Sequence, residues 1–136
     1  MYLLDTDILS NVMKRSPSST LIARVARVPP EHQFTSSITL GELVYGAHRL
    51  RARTTILMKR IEDVLVPNLQ VLSFDAAAAR RYGEIRAELQ RSGTPIGDAD
   101  LRIAAIALAH HLKVVTGNER HFQRVPELEI ENWLER

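Results

Sequence analysis

Short apolar runs, each ended by a polar residue and followed by a helical pattern, recur along this chain, and that alternation limits its fold more than any other feature. Tyr2–Leu4, Gln33–Ile38, Leu69–Phe74 and Lys113–Thr116 read as strands, with Glu129–Trp133 as a last edge strand. Helical patterns fill the gaps at Asp7–Lys14, Ser18–Val28, Thr39 to near Arg53, Thr54–Val66, Ala76–Arg91 and Asp98–Leu112. Asp75 is placed to cap one helix, and Thr39 with Glu42 three residues later reads as a capping box for another. After Arg102 the helix opened by Asp98 carries almost only Ala, Ile and Leu, so it is expected to be buried. Strands separated by helices predict an α/β protein with a central, mostly parallel sheet covered on both faces.

At 136 residues the chain suits one domain spanning 1–136, able to bury roughly 68% of its unfolded surface. The absence of cysteine excludes a disulfide framework, a zinc finger and a thiol nucleophile, and makes the cytoplasm the expected compartment. The first residues lack a basic segment with a cleavage site, and no apolar stretch approaches the roughly 20 residues that span a bilayer, so neither export nor a membrane is expected. Arginine is clustered at Arg49, Arg51 and Arg53, at Arg60 beside Lys59, and at Arg80-Arg81. Such clusters suit phosphate contact, and they equally suit solvated helix faces. A net charge of only +2 argues against indiscriminate coating of nucleic acid.

Four acids sit oddly. Asp5 ends the first apolar run, Glu42 interrupts an apolar stretch, and Asp98 and Asp100 open the buried helix. Each has a plain structural explanation as a helix cap, a capping-box member or a dipole acid. A parallel sheet with right-handed crossovers, however, brings strand ends and the following helix N-termini to one edge. Carboxylates converging there repel unless protons or a hard divalent cation neutralise them, and magnesium or manganese suits oxygen ligands. Thr116, Gly117 and Asn118 end another expected strand and bring hydroxyl and amide groups to the same edge.

Four ordered motifs carry a resemblance: Leu3-Leu4-Asp5-Thr6-Asp7-Ile8, Ser37-Ile38-Thr39-Leu40-Gly41-Glu42-Leu43, Ile96-Gly97-Asp98-Ala99-Asp100-Leu101-Arg102, and Val115-Thr116-Gly117-Asn118-Glu119-Arg120-His121-Phe122. In order and spacing the chain resembles the PIN-domain ribonuclease toxins of the VapC type. The resemblance implies a three-layer α/β/α nuclease whose acids hold Mg or Mn and hydrolyse RNA. It puts Asp5, Glu42 and Asp100 on the core acids, with Asp5 and Asp100 as metal ligands and Glu42 completing the shell or orienting water. Thr6, Asp7, Asp98, Thr116 and Asn118 would support them, Thr116 at the family's small hydroxyl position. Asp7 stands where the family usually has asparagine or another polar residue, and Asn118 where many members carry a further aspartate. Asp98 is left to cap its helix or hold a water near the ion. The resemblance also implies an RNA substrate such as a transfer RNA anticodon loop, a toxin homodimer and a cognate antitoxin. Leu43, Val44, Leu50, Ile56 and Leu57 could line the antitoxin's groove or belong to the core.

Two other readings compete. Asp5-Thr6-Asp7 after an apolar strand also opens haloacid-dehalogenase-like phosphotransferases, with Asp5 as nucleophile and Asp7 as general acid. A Rossmann-like domain that only binds a partner would need the acids merely as caps. Histidine chemistry is discounted: His110 and His111 diverge by about 100° on a helix, and His32, His48 and His121 lack a partner at i+4.

Overall fold

The computed structural model describes residues 1–134. Five strands, β1 (Tyr2–Leu4), β2 (Gln33–Ser36), β3 (Gln70–Leu72), β4 (Lys113–Val115) and β5 (Ile130–Glu131), form one sheet in the order β3-β2-β1-β4-β5. Every neighbouring pair is parallel, with Leu4 opposite Val115 across β1 and β4. Seven helices cover it: α1 (Thr6–Val12), α2 (Ser19–Arg27), α3 (Ser37–Arg49), α4 (Thr54–Arg60), α5 (Ala76–Arg91), α6 (Asp98–Ala109) and α7 (Glu119–Phe122).

Alternation along the strands builds the three layers, because successive side chains leave a strand on opposite faces. Leu3 and Val114 join a core with α5, α6 and Phe122 of α7. Leu4 and Val115 join a second core with α1 to α4 and Trp133. The expected buried helix is α6, whose Ile103 through Ala107 are wholly enclosed. It ends at Ala109, short of the expected Leu112, because His111 takes a left-handed backbone (φ 56°) and Leu112 N–H turns back to Ala107 O.

Local chemistry explains the other shifts from the sequence reading. Ser36 caps α3, accepting from Thr39 N–H at 3.0 Å, so the helix begins before the expected Thr39 cap and β2 is correspondingly shorter. Glu42 therefore closes no capping box. α4 ends at Arg60 and continues as a π-helical turn, Ile61–Leu65, and a 3-10 turn, Val66–Asn68. The sequence gives no sign of the short α7, since four residues are too few to show helical periodicity.

Candidate active site

The strand order reverses between β1 and β4, which makes the crevice beyond their carboxyl ends the natural ligand position in an open parallel sheet. Asp5 follows β1 directly and is only 5% exposed. The parallel register sets it beside Thr116: Asp5 N–H donates to Val115 O, and Thr116 Oγ1 donates to Asp5 Oδ2 at 2.9 Å. The other carboxylate oxygen accepts from Thr6 N–H at 2.7 Å, so Asp5 also caps α1.

Asp7 lies in the first turn of α1, its Oδ2 accepting from Gly117 N–H at 2.8 Å and its Oδ1 lying 3.5 Å from Thr116 Oγ1. A Cβ on Gly117 would stand 2.7 Å from Asp7 Oδ2 and 2.9 Å from Leu134 Cδ1, so only glycine admits this approach. On the opposite wall, Glu42 is exposed and accepts from Thr6 Oγ1 at 2.7 Å. Thr6 is linked in turn to the buried Thr39 hydroxyl at 3.2 Å.

Asp100 projects from the first turn of α6, and its Oδ2 lies 3.0 Å from His121 Nδ1. Asn118 Nδ2 is 3.1 Å from the same nitrogen, which serves one partner at a time: protonated it donates to Asp100, bare it accepts from Asn118. Asn118 N–H donates to Thr116 Oγ1 at 2.9 Å, which ties the β4–α7 loop to the cleft. His121 corrects the sequence reading. Its partner lies 21 positions away in another helix, where i,i+4 spacing cannot reveal it.

Asp98 is corrected too. Gly97 is the N-cap of α6, and the Asp98 carboxylate turns outward to Tyr82 Oη at 2.5 Å and Arg102 Nε at 2.7 Å. Those donors, the tyrosine foremost, hold it below the usual carboxylate range. Two residues along a helix rotate side chains by about 200°, which is why Asp98 and Asp100 part company.

Burial dominates the electrostatics of Asp5. It pushes the carboxyl up to about 7, with the charges of Asp7 and Asp100 adding to it against the stabilising donors Thr6 and Thr116. Asp7 is raised as well, again chiefly by burial. A pH dependence follows for the metal-free protein. The folded Asp5 keeps its proton well above the unfolded value of 3.8, so the folded state binds more protons between about pH 4 and 7 and stability falls across that window as pH rises. The upper bound is on the order of 4 kcal/mol. Urea midpoints measured in chelator should be lower at pH 8 than at pH 5, and Asp5→Asn should flatten the difference. Equal midpoints for the wild type would mean that the Asp5 charge is not desolvated.

The donors in the cleft are oxygens, from Asp5, Asp7, Asp100 and Glu42, with no thiolate in the chain. Among the described residues no three Asp, Glu or His side chains close into a ready cage for an ion.

The fold and the cleft define the class: a three-layer α/β/α protein with an acidic centre at the switch point of a parallel sheet. The PIN domain family model matches residues 2–128. The tRNA(fMet)-specific endonuclease VapC of Salmonella typhimurium is 39% identical over 132 residues, covering 97% of both chains. Among solved structures, DNA-bound VapBC from Salmonella typhimurium superposes with a TM-score of 0.89 at 38% identity over 97% of each chain. FitAcB from Neisseria gonorrhoeae gives 0.91 at 29% identity over 100% of both. The chain belongs to the PIN-domain family, among its VapC-type members. With that membership the haloacid-dehalogenase-like and purely binding readings lose their support.

Of the five residues that could line a partner groove or belong to the core, Leu43, Leu50 and Leu57 border one cavity of about 350 Å³ beside Glu42, Leu43 and Leu57 packing in the second core as well. Val44 packs against the second core and Ile56 is exposed outside that cavity. No helix among the described residues is long and apolar enough to cross a membrane.

Proposed function

We propose that this protein is a divalent-metal-dependent endoribonuclease that acts as the toxin of a toxin–antitoxin pair. The observation that carries this reading is the buried Asp5 at the switch point, joined to Asp7 through Thr116 and raised in pKa chiefly by burial, with Asp7 and Asp100 adding to it. Asp5 and Asp100 would hold Mg²⁺ or Mn²⁺, and the bound ion supplies Lewis acidity and lowers the pKa of a water. Thr116 fixes the Asp5 carboxylate by hydrogen bonding, while Thr6 fixes Glu42, which would orient the attacking water. His121, in the tautomer that carries the proton on Nδ1, would hold one oxygen of Asp100 and leave the other for the ion. Gly117 and Asp7 lock the loop that carries Asn118 against the cleft.

The relatives support an RNA substrate, one of them being named for cleaving tRNA(fMet). Single-stranded loops of structured RNA are the substrate class proposed here, since their splayed bases can enter an open cleft. A small antitoxin protein is the proposed partner, in line with the VapBC assembly of the Salmonella relative, and the toxin itself is proposed to form a homodimer.

Purified protein incubated with total transfer RNA should cut it in the presence of Mg²⁺ or Mn²⁺ and cease to do so in excess chelator. Equal cleavage in chelator would overturn the metal-dependent reading, and the mapped ends would identify the substrate.

A further inference from the structure

A groove with a basic rim leads out of the acidic cleft along α3. It opens at Thr6 and Glu42 and passes Gly46 to Arg49, Leu50 and Arg53. Lys14, Arg15 and Arg60 complete the rim from the facing side, and Glu42 is the only acid among its described lining residues. None of these five cations has a carboxylate partner among the described residues. Arg60 is tied to Met13 O at 3.1 Å, while Lys14, Arg15, Arg49 and Arg53 stand exposed. Unpaired cations gathered around one groove, on a chain whose net charge is only +2, make a local field suited to a polyanion.

Tyr45 lies outside the groove's lining, next to its residue Arg49. It is 68% exposed, one helical turn before Arg49, whose guanidinium lies 6.0 Å from the ring centroid. An exposed aromatic ring beside an arginine is a stacking surface for a nucleobase. The floor residues Leu43 and Ile61 are 7% and 0% exposed and belong to the core, Met13 and Leu57 are half-buried, and Leu50 is exposed.

We propose that the RNA strand leaves the cleft along this groove, with phosphates on Arg15, Arg49 and Arg53 and a base stacked on Tyr45. The assignment rests on the ribonuclease reading and adds the path of the substrate. Glu42 to Arg49 spans about 10 Å along α3, so the contacts concern nucleotides flanking the scissile bond on one side.

The test uses the full chain in excess EDTA, so that RNA is bound without being cut, and a fluorescein-labelled single-stranded RNA of about 12 nucleotides. Affinity is followed by anisotropy across a salt series. Arg49→Gln combined with Arg53→Gln should weaken binding at least about 10-fold and reduce the slope of log affinity against log salt by about 1.4, at roughly 0.7 for each phosphate no longer neutralised. Tyr45→Ala should weaken binding roughly 5- to 100-fold with the slope unchanged, and Tyr45→Phe should restore it. All three positions are exposed, and unchanged thermal midpoints would show that folding is intact. RNA affinity and slope indifferent to both changes would overturn the proposal. So would variants that bind RNA normally but no longer bind the antitoxin, which would assign the groove to a protein. Wild-type cleavage of transfer RNA with Mn²⁺ is scored separately: its absence defeats the nuclease reading, whereas an active wild type with indifferent variants defeats the groove alone.

Discussion

Asp5→Asn should lower metal-dependent RNA cleavage by on the order of 1,000-fold while making the metal-free protein more stable at pH 8. The two effects have one cause. Asp5 is buried at the end of β1, and its carboxyl is pushed up to about 7 chiefly by desolvation. Above that pH the charge is present without a counter-ion, which favours binding a cation and disfavours the empty fold. Asparagine keeps the shape and the bond from Thr6 N–H, and the Thr116 hydroxyl can rotate to accept from the new amide while donating toward Asp7. Cleavage rates and thermal midpoints in chelator read the two effects separately. Loss of activity accompanied by unfolding would reduce Asp5 to the cap of α1. In cells, wild-type expression should arrest growth and Asp5→Asn should relieve it, and harmless wild-type expression without an antitoxin would count against the toxin role.

The second large effect separates two aspartates only two positions apart. Asp100→Asn should reduce cleavage roughly 100- to 1,000-fold and weaken Mn²⁺ binding, because Asp100 lies close enough to Asp5 to raise its pKa and is held by His121. Asp98→Asn should leave the rate within about 3-fold, the scale of a change outside the reacting centre. Its carboxylate faces Tyr82 and Arg102, and Arg102 lies over the rings of Phe74 and Tyr82 at 5.2 and 5.5 Å. The cost of Asp98→Asn should therefore appear as a lower thermal midpoint, from a loosened packing of α5 on α6. Manganese affinity by electron paramagnetic resonance decides the assignment. A larger loss for Asp98→Asn would transfer the ligand role to it.

Much of this architecture was legible in the chain. The boundaries of α5 were readable because Asp75 is a local cap and the residues after it keep one helical period to Arg91. The burial of α6 was readable because a helix apolar on every side has no solvent face. The cap of α3 lies three residues before the expected Thr39 for a local reason: Ser36, Ser37 and Thr39 are all competent caps, and only the end of β2 selects among them.

The acidic residues could be nominated from the sequence, but their roles could not. Glu42 reads from the sequence either as a capping-box acid or as a site acid, and it takes a hydrogen bond from Thr6, 36 positions earlier. His121 looked inert and meets Asp100 across two helices. Sequence patterns report interactions among residues within about a turn of helix or along one strand, so they determined the element order, the layers and the identity of the acids. The parallel register of β1 and β4 brings Asp5 to Thr116, 111 positions away. Only that pairing decided which carboxylates face one another, which are desolvated, and that Asp98 points away from them, because burial and through-space charge depend on distances that chain spacing does not encode.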